Sequence, residues 1–468
     1  MSQAPTVSLP KRLPLVTAPE NRGTSPDKDS RLVNCYAERS KMDGEFWLFK
    51  RAGLLRAEQP SGGAAAGLGM FNWLGDIYAI FGTTLYKNGA SVGTVDATTS
   101  YRFDSTLGAT PQLQLGNGVK AYNYDSGSGL VEITDSDFPA DFVKGWAYLD
   151  GTTYVGVASP PTIQGSDIND PTAWDALNFL SAQIEPDQLV ALSKQLVYVV
   201  AFKQWSTEIF YDAGNATGSP LGPVQGAKAS YGCVSADSIQ SIDGMLIWVS
   251  TNQSASTQII KMEGLKVEVI STNPIERLLD AADFTEVYSL QFKNIGHRFY
   301  IFTSVNSNLT LVYDLDEKLW HQWTDSDGNY FPFSAVTYDA ATYRHQFQHE
   351  SDGWIYLVNE GYYTDEGEPI TADIYTPNFD GDMYRRKTLN VMKFVADKTP
   401  GSVLQVRHND SDYEAGQWTN FRSVDLSQKA PMLMGEGTFV RRAYNFRHQS
   451  ATQMRIKAVE LQMDLGTL

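Results

Sequence analysis

The chain has 468 residues, a formal net charge of −17, 12% aromatic residues, 38 glycines and two cysteines. That length outgrows one ordinary hydrophobic core and implies two or three structural units. Its apolar runs are too short for a membrane-spanning helix, its opening MSQAPTVSLPKRLP lacks the apolar stretch of a signal peptide, and its acid excess excludes a protein that grips DNA through many cationic phosphate contacts.

Residues 1–60 are rich in Pro, Ser, Asp and Arg and alternate like a strand only at Phe46-Trp47-Leu48-Phe49. With the following Pro60-Ser61-Gly62-Gly63-Ala64-Ala65-Ala66-Gly67 they read as an extended arm on a flexible connector. Cys35 and Cys233 lie far apart, without a CxxC pair or histidine neighbours, so two reduced structural thiols are expected, not a disulfide or a metal pair.

From Leu74 onward, tight-turn signals precede short aromatic and aliphatic runs seven times: Leu74-Gly75, Asn117-Gly118, Asp150-Gly151, Lys194-Gln195, Asp243-Gly244, Ile295-Gly296 and Asp352-Gly353. Asn-Gly and Asp-Gly turn a β-hairpin because both residues tolerate positive φ. The spacing of roughly 35 to 55 residues matches four-stranded propeller blades. A sandwich, the alternative, would space its turn signals by about 8 to 12 residues. The expected fold is therefore all-β: a six- or seven-bladed β-propeller over 61–365, an extended N-terminal arm over 1–60 and a C-terminal β-sandwich-like domain over 366–468. Two short helices are expected as inserts, at Pro171–Leu180 and at Asn273–Ala282, the second with Ile275, Leu278 and Leu279 on one face. After an acidic break at Thr364–Pro369, alternating stretches at Leu389–Val395, Val403–Arg407 and Met454–Met463 read as half-buried strands.

Charge is unevenly distributed. Residues 1–60 hold 10 Lys+Arg and 7 Asp+Glu, residues 61–380 hold 14 and 38, and residues 381–468 hold 13 and 9. An acidic body between mildly basic ends repels phosphates, which suits either plain solubility or a surface past which DNA slides.

Candidate chemistry is sparse. His345 and His349 have zinc-like spacing but no third ligand, and Asp325-Ser326-Asp327-Gly328 starts like a calcium loop whose twelfth position is Val336. The carboxylate pairs Asp135/Asp137 and Asp314/Asp316 carry no sign of a glycosidase cleft. With no G-x-S-x-G elbow, P-loop or H-E-x-x-H motif, neither an enzyme nor a cofactor nor a bound metal is expected. Basic residues interleaved with aromatics, Arg385, Arg386 and Lys387 beside Tyr384, and Arg441, Arg442 and Arg447 among Phe439, Tyr444 and Phe446, suggest a partner interface or a solvated strand face.

Three strings together resemble one family, the tail hub or nozzle (packaged-DNA stabilization) proteins of short-tailed bacteriophages. The first is Trp205-Ser206-Thr207-Glu208-Ile209-Phe210-Tyr211, continuing through Tyr231-Gly232-Cys233, Asp243-Gly244 and Ile259-Ile260-Lys261-Met262-Glu263-Gly264 to the helix at Ile275. The second is Leu32-Val33-Asn34-Cys35-Tyr36-Ala37-Glu38 with Phe49-Lys50-Arg51-Ala52-Gly53-Leu54, where the family pattern often has Pro at the place of Ala52. The third runs from Phe439-Val440-Arg441-Arg442 to Met454-Arg455-Ile456-Lys457. The resemblance implies a non-enzymatic virion protein of the tail, assembled in the host cytoplasm without a membrane. As a homohexamer it would ring the DNA path below the portal and its adaptor, retain the packaged genome, pass duplex DNA at ejection and hold tail spikes, fibres or a needle. Six copies would bring about −100 of charge to such a ring. The alternative is a sialidase-like tail propeller that degrades host glycans.

Overall fold

The computed structural model describes residues 11–15, 19–20, 22–23, 28–215, 217–254 and 256–465. Part of the expected arm, residues 1–10 included, lies outside them.

Seven four-stranded antiparallel blades follow one another around an axis, five as separate sheets and two as parts of larger ones. Their innermost strands are Gly67–Trp73, Arg102–Ser105, Ala147–Leu149, Leu189–Gln195, Gln240–Ile242, Val287–Asn294 and Phe333–Asp339. Gly67–Trp73 packs against both Arg102–Ser105 and Phe333–Asp339, so the ring is closed and the propeller has seven blades. The second strands, Tyr198–Lys203 and Met245–Thr251 among them, are buried almost end to end because each blade is covered on both faces. Neighbouring blades interdigitate through such strands: Phe202 and Trp248 meet edge to face at 4.9 Å.

Each of the seven turn signals falls in a different blade. Five mark the innermost hairpin, whereas Asn117-Gly118 and Asp352-Gly353 join the second and third strands of the second and seventh blades. In the fourth blade the turn is Leu196-Val197, just beyond the expected Lys194-Gln195, which end the strand Leu189–Gln195. The helix Asn273–Asp280 forms as expected, with Pro274 in its first turn and Ile275, Leu278 and Leu279 buried below the fifth and sixth blades. The helix expected at Pro171–Leu180 does not form: Asp170–Ser181 is the outer strand of the third blade, paired with Thr162–Asp167 through two register shifts. Pairing with an otherwise open sheet edge overrides the helix-like spacing of Trp174, Leu177 and Leu180.

Residues 31–58, expected within an extended arm, are strands of both structural bodies. Gly53–Glu58 is the fourth strand of the seventh blade, antiparallel to Ile355–Asn359. Cys35–Arg39 and Phe46–Lys50 join Arg455–Leu465, Lys387–Ala396 and Met432–Met434 in one sandwich sheet. The facing sheet orders Arg31–Val33, Ala372–Tyr375, Ala443–His448, Val403–Asn409 and Arg422–Asp425. Leu32, Leu48, Ile374, Met392, Val406, Phe446 and Ile456 share the core between them. This second sheet continues into the sixth blade, where Val33 pairs in parallel with Gln322. Short strands whose partners lie some 300 or more residues away leave no local period, which is why this stretch reads as an arm.

Candidate functional site

The innermost strands, with Lys144, Gly145 and Trp146 leading into that of the third blade, line an axial cavity of about 310 Å³ to which all seven blades contribute. Side chains from several blades tie it shut. Lys144 Nζ donates to Thr99 Oγ1, Ser100 Oγ and Asp237 Oδ2, each at 2.7 Å, and Arg102 donates to Ala236 O at 2.6 Å. Ser289 Oγ donates to Asp237 O at 2.5 Å, bringing in the sixth blade. Duplex DNA, whose major groove alone is about 12 Å wide, cannot pass through this axis.

The family-like strings prove to be structural joints. Lys203 is fully buried between Asp187 at 3.0 Å and Glu208 at 2.9 Å. Burial opposes ionisation of Asp187, yet donors from Trp205 N, Lys203 and Ser206 hold its carboxyl below the usual range. The run Trp205 to Glu208 thus wraps a buried cation. Against it, Gly232 leaves no room for a side chain, since a Cβ there would sit 2.0 Å from Gln204 O. In the N-terminal string, Arg51 Nε donates to Asn34 Oδ1 at 2.9 Å, and its other nitrogens reach Asp365 and Thr324 O at 3.0 Å, locking the propeller to the sandwich. Sequence pattern alone does not mark Asp187, and the one signal for Lys203 is its place at the end of the otherwise apolar strand Tyr198–Lys203.

Of the six basic residues expected at an interface, the structure separates two groups. Lys387 is buried, donates to Met383 O at 2.6 Å and Arg385 O at 2.7 Å, and lies over the Phe439 ring. Burial pushes its ammonium below the ordinary lysine range. Arg442 is also buried and grips Asp410 through two nitrogens, at 2.6 and 2.8 Å. Burial opposes its charge, but the Asp410 hydrogen bonds, with the Asp410 charge and Tyr444, together raise its pKa. Arg447 is half-buried against Asp373 at 2.9 Å. These three serve the sandwich fold, because a buried cation needs its partner. Arg385, Arg386 and Arg441 remain exposed, with Tyr384 beside them 84% exposed.

The other candidates are likewise engaged within the fold. His345 packs against Phe292 and Tyr338, and His349 against Phe333 and Tyr356. Asp325 Oδ1 accepts from the backbone of Asp327 and Asn329 in a hairpin turn. Asp135 Oδ2 accepts from Trp174 N, and buried Asp314 holds His297 Nδ1 at 2.6 Å. Among the described residues no group of three His, Cys, Asp or Glu side chains could hold a metal, and no helix is long and apolar enough to cross a membrane. Cys35 and Cys233 are both free and buried, and burial pushes the Cys233 thiol up to about 12.

Buried imidazoles give the fold an acid sensitivity. Burial pushes His321 and His345 down to about 4 and His448 to about 3. From the ordinary value of 6.5 down to these values the unfolded chain binds more protons, so stability falls with falling pH and the loss is complete near 3. Burial also disfavours charged His297, but its Asp314 hydrogen bond together with the negative charges of Asp314, Glu38 and Glu317 raises its pKa, a contribution of opposite sign. Thermal melting is expected to drop clearly between about pH 7 and about pH 5. His448→Gln should shrink the drop, and an unchanged difference would contradict the assignment.

Fold and surfaces define a propeller–sandwich protein with a plugged axis. The family described as bacteriophage P22 Gp10, β-propeller, matches residues 28–360, and the chain belongs to it, a structural protein of the phage tail and a component of the virion. No curated protein sequence matches the chain. Similar solved structures include a catalytically inactive virginiamycin B lyase from Staphylococcus aureus with quinupristin, 8% identical, with a TM-score of 0.43, covering 66% of this chain and 99% of that one. The N-terminal domain of Nup159 is 11% identical with a TM-score of 0.39, covering 71% and 99%. The extracellular domain of a one-component system from B. thetaiotaomicron is 10% identical with a TM-score of 0.43, covering 86% and 57%. Likenesses this distant carry no weight for activity.

Proposed function

We propose that the chain is a tail hub or nozzle subunit and not an enzyme. Six copies form a ring below the portal's adaptor, extend the DNA channel, retain the packaged genome and carry spikes, fibres or a needle. Assembly takes place in the host cytoplasm. The observation that carries this reading is the family match over 28–360. The plugged propeller axis supports its geometry: the hole must lie between subunits. Residues 61–380, with 38 Asp+Glu against 14 Lys+Arg, would then let phosphates pass without sticking.

Negative-stain images of tail particles, or of the protein mixed with its adaptor, test this directly. A six-fold ring with a central hole is expected, and isolated discs would overturn the reading. Exchanging several exposed propeller acids for lysine is expected to slow DNA ejection, and an unchanged rate would remove the acidic lumen. Incubation with host polysaccharide should leave the polymer intact, whereas cleavage would favour the glycan-degrading alternative.

A further inference from the structure

Two unlike surfaces face away from each other on this chain. The first is the outer rim of the second and third blades. Between Lys120 and Ser181 the sequence holds nine Asp+Glu and one basic residue, Lys144, which is committed to the axis. The strand Asp170–Ser181 ends the third blade's sheet and, among the described residues, pairs with a strand on one side only; Asp135 Oδ2 accepts from Trp174 N, and no strand covers the edge around Leu177 and Phe179. Along it Leu177 is 75% and Phe179 47% exposed, with exposed Asp170 and Asp175 in the same strand. Open edges with apolar side chains are ordinarily covered or blunted, because they template pairing with another chain.

The second surface is the loop between Ala372–Tyr375 and Lys387–Ala396. It presents Met383, Tyr384, Arg385 and Arg386 to solvent. The bridge between Phe379 and Arg442 brings exposed Arg441 beside it. This surface is basic and aromatic where the first is acidic and aliphatic.

Their placement decides how they can meet. The sandwich is hydrogen-bonded to the sixth blade at Val33 and runs from Phe46–Lys50 directly into Gly53–Glu58 of the seventh, and in a ring of seven the third blade is three places from either. The two surfaces thus lie across the propeller from one another and cannot touch within one chain. A contact between different patches of identical subunits is heterologous, and it closes into a ring when the rotation permits.

We infer that the loop carrying Met383 to Arg386, with Arg441, docks on the open edge of the strand Asp170–Ser181 in the next copy. This inference rests on the ring reading above and names the surfaces that build it. Tyr384 and Phe179 supply desolvated contact, and Arg385, Arg386 and Arg441 meet a rim with no free basic residue to oppose them.

Paired cysteines provide the test, because native Cys35 and Cys233 are both buried. Leu177→Cys combined with Tyr384→Cys, oxidised in adaptor-bound particles, should give a disulfide ladder ending at the size of the ring. Separately made single variants, mixed and oxidised, should stop at a covalent dimer. Adding Arg385→Glu and Arg386→Glu should abolish every species above the monomer. Rings on the grid without a ladder would overturn this contact while leaving the ring. Dimers from Leu177→Cys alone would overturn it in favour of edge-to-edge pairing. Absence of both rings and ladder would overturn the ring reading and this contact with it.

Discussion

Lys203→Met is expected to destabilise the propeller by about 3 to 5 kcal/mol, because it leaves two buried carboxylates without their cation. The side chains of Asp187 and Glu208 are each 1% exposed. Backbone donors soften the cost. Trp205 N and Ser206 N reach Asp187 at 2.7 and 3.0 Å, and Ile184 N reaches Glu208 at 3.1 Å. Those dipoles do not replace a full charge at about 3 Å. The triple variant Lys203→Met with Asp187→Asn and Glu208→Gln should recover part of the loss, since neutralising a whole buried network costs less than orphaning one side of it. Chemical denaturation of the three proteins checks both statements. A single variant as stable as wild type would show that the trio does not hold the fourth blade together.

The same trio shows what the sequence could and could not convey. Turn chemistry is local, so Asp150-Gly151 and Asp243-Gly244 announced their hairpins, and the apolar face of Ile275, Leu278 and Leu279 announced its helix. Buried charge is not local. Arg442 finds Asp410 32 residues away, and Arg51 finds Asp365 314 away, so no local pattern marks either as an interior strut. The basic cluster of the sandwich was therefore legible only by half: Arg385, Arg386 and Arg441 stand in solvent, while Lys387 and Arg442 bind carbonyls and a carboxylate. Strand identity at Asp170–Ser181 escaped for a related reason, because only the waiting edge of Thr162–Asp167 makes a strand of it.

Closure of the ring depends on one narrow passage. Gly53 begins the strand that completes the seventh blade, and a Cβ there would lie 2.2 Å from Thr364 O and 2.8 Å from Thr364 N. Both neighbours are backbone atoms held in place: Gly53 N donates to Tyr362 O at 2.8 Å, Glu366 N donates to Leu54 O at 3.0 Å, and Leu54 N donates to Asp365 Oδ1 at 3.2 Å. No side-chain rotation can relieve the clash, so the closing strand itself must shift away from one partner. Gly53→Ala is expected to cost about 3 kcal/mol or more. The connector offers a control, since a Cβ at Gly63 meets nothing within 4 Å, and Gly63→Ala should stay within about 0.5 kcal/mol of wild type. A displaced closing strand would also bare the edge of Ile355–Asn359, so Gly53→Ala should aggregate on heating sooner than its loss of stability alone requires. A denaturation midpoint matching wild type would mean that the N-terminal strand does not clasp the ring.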